Sequence, residues 1–128
     1  MPPPVKSTRA RWLLWAPVVA YMVVIFWLSS VAQPTDLPAG MSDKAGHVAL
    51  YFGLSALIIR ALAGGWRGRV TPGLACLAVV MATAYGITDE LHQHFVPPRH
   101  MDSRDLGADA IGASIAAVGA YAVSRFRL

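Results

Sequence analysis

Four apolar runs, separated by short polar segments, set the pattern of the chain. The first run covers residues 12–32 and contains 21 residues without a charge. A helix needs about 20 apolar residues to cross the hydrocarbon core of a membrane. Further apolar runs predict helices over residues 43–63, 72–91 and 103–124. The pattern therefore predicts an all-α protein, a bundle of four transmembrane helices.

Turn residues and capping side chains mark the ends of these helices. Ser42 is placed to cap the second helix. Pro72 falls in the first turn of the third helix, where proline is tolerated, and Asp102 or Ser103 can cap the fourth. We expect residues 1–11, which are rich in proline and basic residues, to be a disordered tail before one membrane domain, 12–128.

Composition supports a membrane protein, since 55% of residues are hydrophobic and 14% are charged, against about 25% charged in soluble domains. A cleaved signal peptide is the alternative for the first run, which ends in the small residues Ser30 and Ala32. That run is longer than the apolar core of about 7–15 residues typical of signal peptides, which favours a membrane helix.

Charge is divided unequally between the two ends of the predicted bundle. One end would hold eight basic residues and no acid, and the other three basic residues and all seven acids. An excess of basic residues marks the cytoplasmic side, so we expect both termini to be cytoplasmic. All acids and all four histidines then lie at the extracytoplasmic face. The basic residues form no stripe of the kind that binds nucleic acid, and no nucleic-acid partner is expected.

Most of the polar side chains fall in one segment, residues 89–109, which contains five of the seven acids and three of the four histidines. On the second helix, Asp43, His47 and Tyr51 recur every four residues and form a stripe. Ionisable groups near lipid are costly unless they are paired or used. We therefore expect these side chains to converge on one pocket at the extracytoplasmic face.

Residue chemistry suggests a role for each member of this pocket. Histidine and carboxylates transfer protons near neutral pH, which makes His47, Glu90 and Asp105 the candidate catalytic residues. The candidate substrate-binding residues are Lys44, Tyr51, Gln93, Arg99 and Asp102. Asp43 and Asp109 are predicted to be structural or charge-coupled. We expect Asp109 to pair with a cation (Arg99, Lys44, Arg104 or a metal), to bind a proton, or to hydrogen-bond to a neighbouring helix. The pattern leaves open whether a divalent cation is a cofactor, and it identifies no particular metal.

Two groups of residues resemble the VanZ-like membrane protein family. The first is DKxxHxxxYxxL over residues 43–54, and the second is ExxQxFVPxRxxDxxDLxAxxxG over residues 90–112. Pro98 stands where the family usually has glycine, and Asp109 where asparagine is common. The resemblance implies a multi-pass protein of the bacterial cytoplasmic membrane, tied to the cell envelope and to low-level resistance to teicoplanin-type glycopeptides.

Three functions fit these features. The first is recognition of an envelope lipid, an anionic head group or a lipid-linked precursor, associated with glycopeptide resistance. The second is a small membrane enzyme that acts on a phospholipid or a lipid-linked cell-wall precursor. The third is a structural or transport subunit, although polar groups confined to one face do not suit a transport path. The sequence has no nucleophile elbow of the G-x-S-x-G type, so motifs name no reaction.

The charge asymmetry predicts the topology of the chain. Reporters fused after Lys6, within residues 64–71 and after Leu128 should read cytoplasmic, whereas fusions near Ala39 and His100 should read extracytoplasmic. Paired activity reporters, such as alkaline phosphatase and a fluorescent protein, measure both outcomes. An extracytoplasmic signal from the 64–71 fusion would contradict the predicted position of the polar pocket.

Overall fold

Four α-helices account for nearly all of the residues that the computed structural model describes, which are Pro4, 7–30, 43–97 and 101–127. They are α1 (Thr8–Ser30), α2 (Asp43–Ala63), α3 (Pro72–His94) and α4 (Ser103–Phe126). Each is long and apolar enough to cross a membrane, and no strand occurs in the described ranges. The predicted all-α, four-helix architecture is confirmed.

The helix ends follow local capping chemistry. The first helix begins at Thr8, so residues 8–11, expected to belong to a disordered tail, form its first turn. The cause is Ser7, whose Oγ accepts a hydrogen bond from the backbone N–H of Ala10 at 3.2 Å. Thr71 caps α3 by accepting from the N–H of Leu74 at 3.1 Å, with proline at the following position.

The other predicted bounds agree closely with the structure. The bounds predicted for α2 match, while Ser42, its expected cap, lies outside the described residues. Helix α3 continues to His94 and α4 to Phe126, three and two residues beyond the predicted ends. Asp102, one of the two expected caps of α4, accepts a hydrogen bond from the N–H of Arg104 at 2.9 Å.

Small residues on α4 let it pack against α2 at short range. A Cβ added at Gly112 would lie 2.2 Å from the carbonyl oxygen of Val48, so the two backbones are almost in contact there. One residue further along α4, the carbonyl of Ala113 accepts a buried hydrogen bond of 2.9 Å from Ser55 Oγ. The buried side chains of α4 are mostly alanines, as in close helix packing within membranes.

Helix α1 lies at the edge of the bundle and is held by tyrosine hydrogen bonds. Tyr21 Oη donates to the carbonyl of Leu50 at 2.8 Å, and Tyr85 Oη donates to the carbonyl of Met22 at 2.6 Å. Large apolar side chains cover the outside of the bundle, such as Val80 and Val118, which are 63% and 68% exposed. Such surfaces suit contact with lipid tails.

The two ends of the bundle differ in chemistry. At one end, Arg60 Nη1 donates to the carbonyls of Leu13 and Leu14, both at 3.4 Å. Arg127 there donates to the carbonyl of Trp66 at 3.3 Å. At the opposite end lie the acids of α3 and α4. This separation agrees with the charge pattern of the sequence, and which end faces the cytoplasm stays a prediction.

The contact between α2 and α4 predicts a difference between two glycines of the same helix. Gly112→Ala should destabilise the protein by about 1–3 kcal/mol, because the new methyl group must push the helices apart. Gly119→Ala is the matched control, since a Cβ there meets no atom within 4 Å. Thermal unfolding in detergent measures both changes. Equal unfolding midpoints for the two variants would contradict the close approach at Gly112.

Candidate functional site

Seven polar side chains are buried together at the end of the bundle that carries the acids. Each is at most 6% exposed, and all four helices contribute. We call them the buried polar cluster: Ser29, His47, Asp89, Glu90, Gln93, Asp105 and Asp109. Burial of so many polar groups is costly unless they bond to one another or to a ligand, so their contacts define what the site can do.

His47 lies between two carboxylates of α4. Its Nδ1 is 2.6 Å from Asp109 Oδ1, and its Nε2 is 3.8 Å from Asp105 Oδ2. Asp105 and Asp109 are one helical turn apart and therefore point to the same side of α4. The imidazole between them offsets the repulsion of two neighbouring carboxylates when it is protonated. The Tyr51 ring is parallel to the imidazole within 8°, with centroids 6.4 Å apart.

Lys44 joins the cluster to the surface. Its Nζ donates to Asp105 Oδ1, and to Asp102 Oδ2 at 3.0 Å, while 42% of its side chain stays exposed. Asp102 also accepts the backbone N–H of Arg104. That hydrogen bond, together with Lys44, lowers the pKa of Asp102 from 3.8 to about 2. Lys44, Asp102 and Arg104 therefore form a charged rim above the buried groups.

Glu90 connects the end of α3 to the start of α4. Its Oε2 accepts a hydrogen bond of 3.0 Å from the backbone N–H of Asp102. Its other oxygen, Oε1, and Asp109 Oδ2 are buried and have no hydrogen-bond partner among the described residues. The site therefore has acceptor capacity that the described part of the protein does not use.

Helix α1 also contributes to the site, which the sequence did not reveal. Ser29 Oγ donates to Asp89 Oδ1 and lies 3.4 Å from Gln93 Nε2. Next to it, Ser30 Oγ is 2.8 Å from His92 Nε2. Asp89 was part of the polar segment but had no predicted role. Two adjacent serines at the end of an otherwise apolar run are the only signal that could have pointed to α1.

The structure brings together most of the candidate residues. The buried polar cluster contains the three candidate catalytic residues, His47, Glu90 and Asp105. Its rim includes Lys44 and Asp102. Tyr51 is fully buried one turn deeper on α2. Gln93 also lies in the cluster, and its amide nitrogen donates to Ser29 Oγ at 3.4 Å. Arg99 and the side chain of Asp43 lie outside the described residues. The roles assigned to these residues stay predictions.

Asp109 bonds to a neighbouring helix, which is one of the three outcomes expected for it. The contact found is to His47 of α2, which was not named beforehand as its partner. Lys44 lies three residues before His47 and so bonds nearer the surface, to Asp102 and Asp105. Asp109, one turn deeper on α4, is level with the imidazole instead.

These features define the class of protein: a multi-pass membrane protein with four helices and a buried, acid-rich polar cluster at one end. Residues 12–124 match the family model described as VanZ/LLP1. The chain therefore belongs to the VanZ-like family, as its two residue patterns predicted. No curated protein and no solved structure matches it significantly.

The lowered pKa of Asp102 predicts a pH-dependent contribution to stability. A carboxylate whose pKa is lower in the folded than in the unfolded chain stabilises the fold above the unfolded value. Its contribution here is present above pH 3.8 and is lost as the pH falls through about 2. Asp102→Asn keeps a good helix cap but removes the charge that pairs with Lys44. The variant should unfold at lower temperature than the parent near neutral pH.

The pH profile of that difference is the decisive measurement. Thermal unfolding in detergent should give midpoints for the two proteins that converge as the pH falls from about 4 to about 2. A difference that stays constant over this range would show that the ionised form of Asp102 does not stabilise the fold.

Proposed function

We propose that the protein recognises the polar head group of an envelope lipid or lipid-linked precursor and thereby contributes to resistance to teicoplanin-type glycopeptides. Its place would be the bacterial cytoplasmic membrane, with the buried polar cluster towards the extracytoplasmic face. The observation that carries this proposal is the convergence of polar side chains from all four helices at one end of an otherwise apolar bundle. A head group that met the charged rim of this site would leave its lipid tails in the membrane.

The arrangement of charges suggests how a head group would be held. The rim offers cationic donors, with the side chains of Lys44 and Arg104 being 42% and 82% exposed. Arg99, which lies outside the described residues, is three residues before Asp102 in the sequence. Below the rim, Glu90 Oε1 and Asp109 Oδ2 are acceptors. A head group with a phosphate or carboxylate outside and a hydroxyl or amine inside would meet both.

The VanZ-like family supports the link to the cell envelope and to glycopeptides. Membership comes from the match over residues 12–124, and the resemblance associates the family with low-level teicoplanin resistance. Binding of an envelope lipid or precursor at the extracytoplasmic face is one way in which a membrane protein of this kind could influence such antibiotics. Resistance and head-group recognition are therefore proposed together.

An enzyme is the second candidate, and one contact favours it. Asp109 Oδ1 lies 2.6 Å from His47 Nδ1, which resembles the way that a carboxylate orients a general-base histidine. With Nδ1 so held, Nε2, which lies 3.8 Å from Asp105 Oδ2, would be the nitrogen that transfers the proton. The substrate would be a phospholipid or a lipid-linked cell-wall precursor. Incubation of the purified protein with envelope lipid extract distinguishes the two: an enzyme changes the lipid, and a binding protein returns it unchanged.

Arg99 provides a test of head-group recognition. If Arg99 grips a phosphate or carboxylate with two parallel hydrogen bonds, lysine cannot reproduce that planar fork. Arg99→Lys should then insert and fold normally but lose most of the increase in teicoplanin resistance that the parent confers on a susceptible host. Arg125→Lys is the matched control at the other end of the bundle and should keep full resistance.

The same variants should be compared for protein amount in the membrane and for lipid retained after purification, measured by native mass spectrometry. The proposal expects Arg99→Lys to be present in normal amount with less bound lipid. Full resistance in Arg99→Lys, together with failure of Arg99→Ala to accumulate, would mean that Arg99 supports the fold and that the anion site is wrong.

A further inference from the structure

Two carboxylate oxygens of the buried polar cluster have unused capacity. Glu90 is 4% exposed and Asp109 is completely buried, yet Glu90 Oε1 and Asp109 Oδ2 have no hydrogen-bond partner among the residues that the structure describes. A buried acceptor without a partner costs about 1–3 kcal/mol, and more when it is charged. Two such oxygens near one histidine indicate that a ligand binds there.

The geometry suits a single ion. His47, Glu90 and Asp109 each offer one ligand atom, and these atoms all lie within 4.8 Å of one another. Ligand atoms bound at about 2.0–2.2 Å from one ion are separated by about 3–4 Å, so small side-chain movements would suffice. The three residues come from α2, α3 and α4, one from each, so the packing of the bundle itself assembles the triad. Gly86, one turn before Glu90, leaves space beside Asp109 Oδ2 that a Cβ would enter at 2.8 Å.

Charge balance favours a divalent ion. Asp105 is paired with Lys44, whose ammonium offsets its charge. Glu90 and Asp109 then leave two negative charges next to His47, and Asp89, which is bonded to Ser29, is a third carboxylate nearby. A divalent cation bound with a neutral imidazole balances the charges of the two carboxylates that would ligate it. Buried carboxylates are stable when they are paired or coordinate a metal.

We propose that His47, Glu90 and Asp109 form a binding site for one divalent transition-metal ion, with Zn²⁺ and Mn²⁺ as the best-fitting ions. Imidazole nitrogen favours transition metals over Mg²⁺ and Ca²⁺, and the two carboxylates suit Zn²⁺ and Mn²⁺. Asp105 Oδ2, 3.8 Å from His47 Nε2, can hold the imidazole from the other side, as carboxylates next to metal-bound histidines do. The ion takes the two oxygens that were offered above to a hydroxyl or amine, so the head group would then be held by the rim alone. Cation binding itself is measured on the purified chain without added lipid.

The test uses the full chain purified in detergent and stripped of metal with a chelator. Zn²⁺ and Mn²⁺ are titrated separately by calorimetry, and the bound metal is counted by elemental analysis after desalting. The expected result is one ion per chain, with binding weakened on the order of 100-fold or more in Glu90→Gln and in Asp109→Asn. His94→Gln is the matched control: it also removes a potential metal ligand at this end of the bundle, but an exposed one outside the triad, and should bind like the parent.

Titration with Co²⁺ adds a readout that requires no variant. Ligation by a histidine and two carboxylates should produce visible absorption bands in the parent protein, and Zn²⁺ should displace them. The proposal is overturned if the stripped parent binds no stoichiometric ion and gives no Co²⁺ bands, in which case the two carboxylates hold protons instead. It is equally overturned if folded Glu90→Gln and Asp109→Asn bind the ions as the parent does, which would mark adventitious binding elsewhere.

Discussion

The pairing of His47 with the carboxylates of α4 is the interaction on which the rest of the site depends. Asp105 and Asp109 are buried one turn apart, and when no ion is bound their like charges repel in a medium that screens poorly unless the imidazole between them is protonated. Removing one partner of a buried ionic pair costs about 3–5 kcal/mol. The helices must therefore hold His47 at a fixed height, and Gly112 makes this possible because it lets the backbone at Val48, the next residue, approach α4.

Lys44 and Glu90 extend that pairing in opposite directions. Lys44 connects Asp105 to Asp102 at the surface, and Glu90 accepts the N–H of Asp102 from α3. Asp102 is thus at once the cap of α4, the partner of Lys44 and the donor to Glu90. A single residue at the start of α4 fixes the position of three helices. Because Asp102 makes all three of these contacts, mutating it alone does not separate structural from functional roles at the rim. Arg99 and the buried triad are therefore better probes.

Sequence patterns predicted the parts of this protein that depend on periodicity and composition. The lengths of the apolar runs gave four helices, and the repeats on α2 and α4 placed His47, Asp105 and Asp109 on inward faces. Contacts that depend on helix rotation and depth were not predictable. Nothing in the spacing indicates that Asp109 lies level with His47 rather than Lys44, or that Ser29 of an apolar helix bonds to Asp89. The start of α1 was missed because the hydroxyl of Ser7, a local cap, extends the helix into a basic stretch.

The separation in sequence between the partners of the site has a consequence for the order of biosynthesis. His47 and Asp109 are 62 residues apart, Lys44 and Asp105 are 61 apart, and Ser29 is 60 residues before Asp89. During translation, α1 and α2 are therefore made before any of these acidic partners exist. The serine of α1 finds its carboxylate when α3 is made, and the histidine and lysine of α2 find theirs only with α4. The site can therefore close only after the last helix has been made.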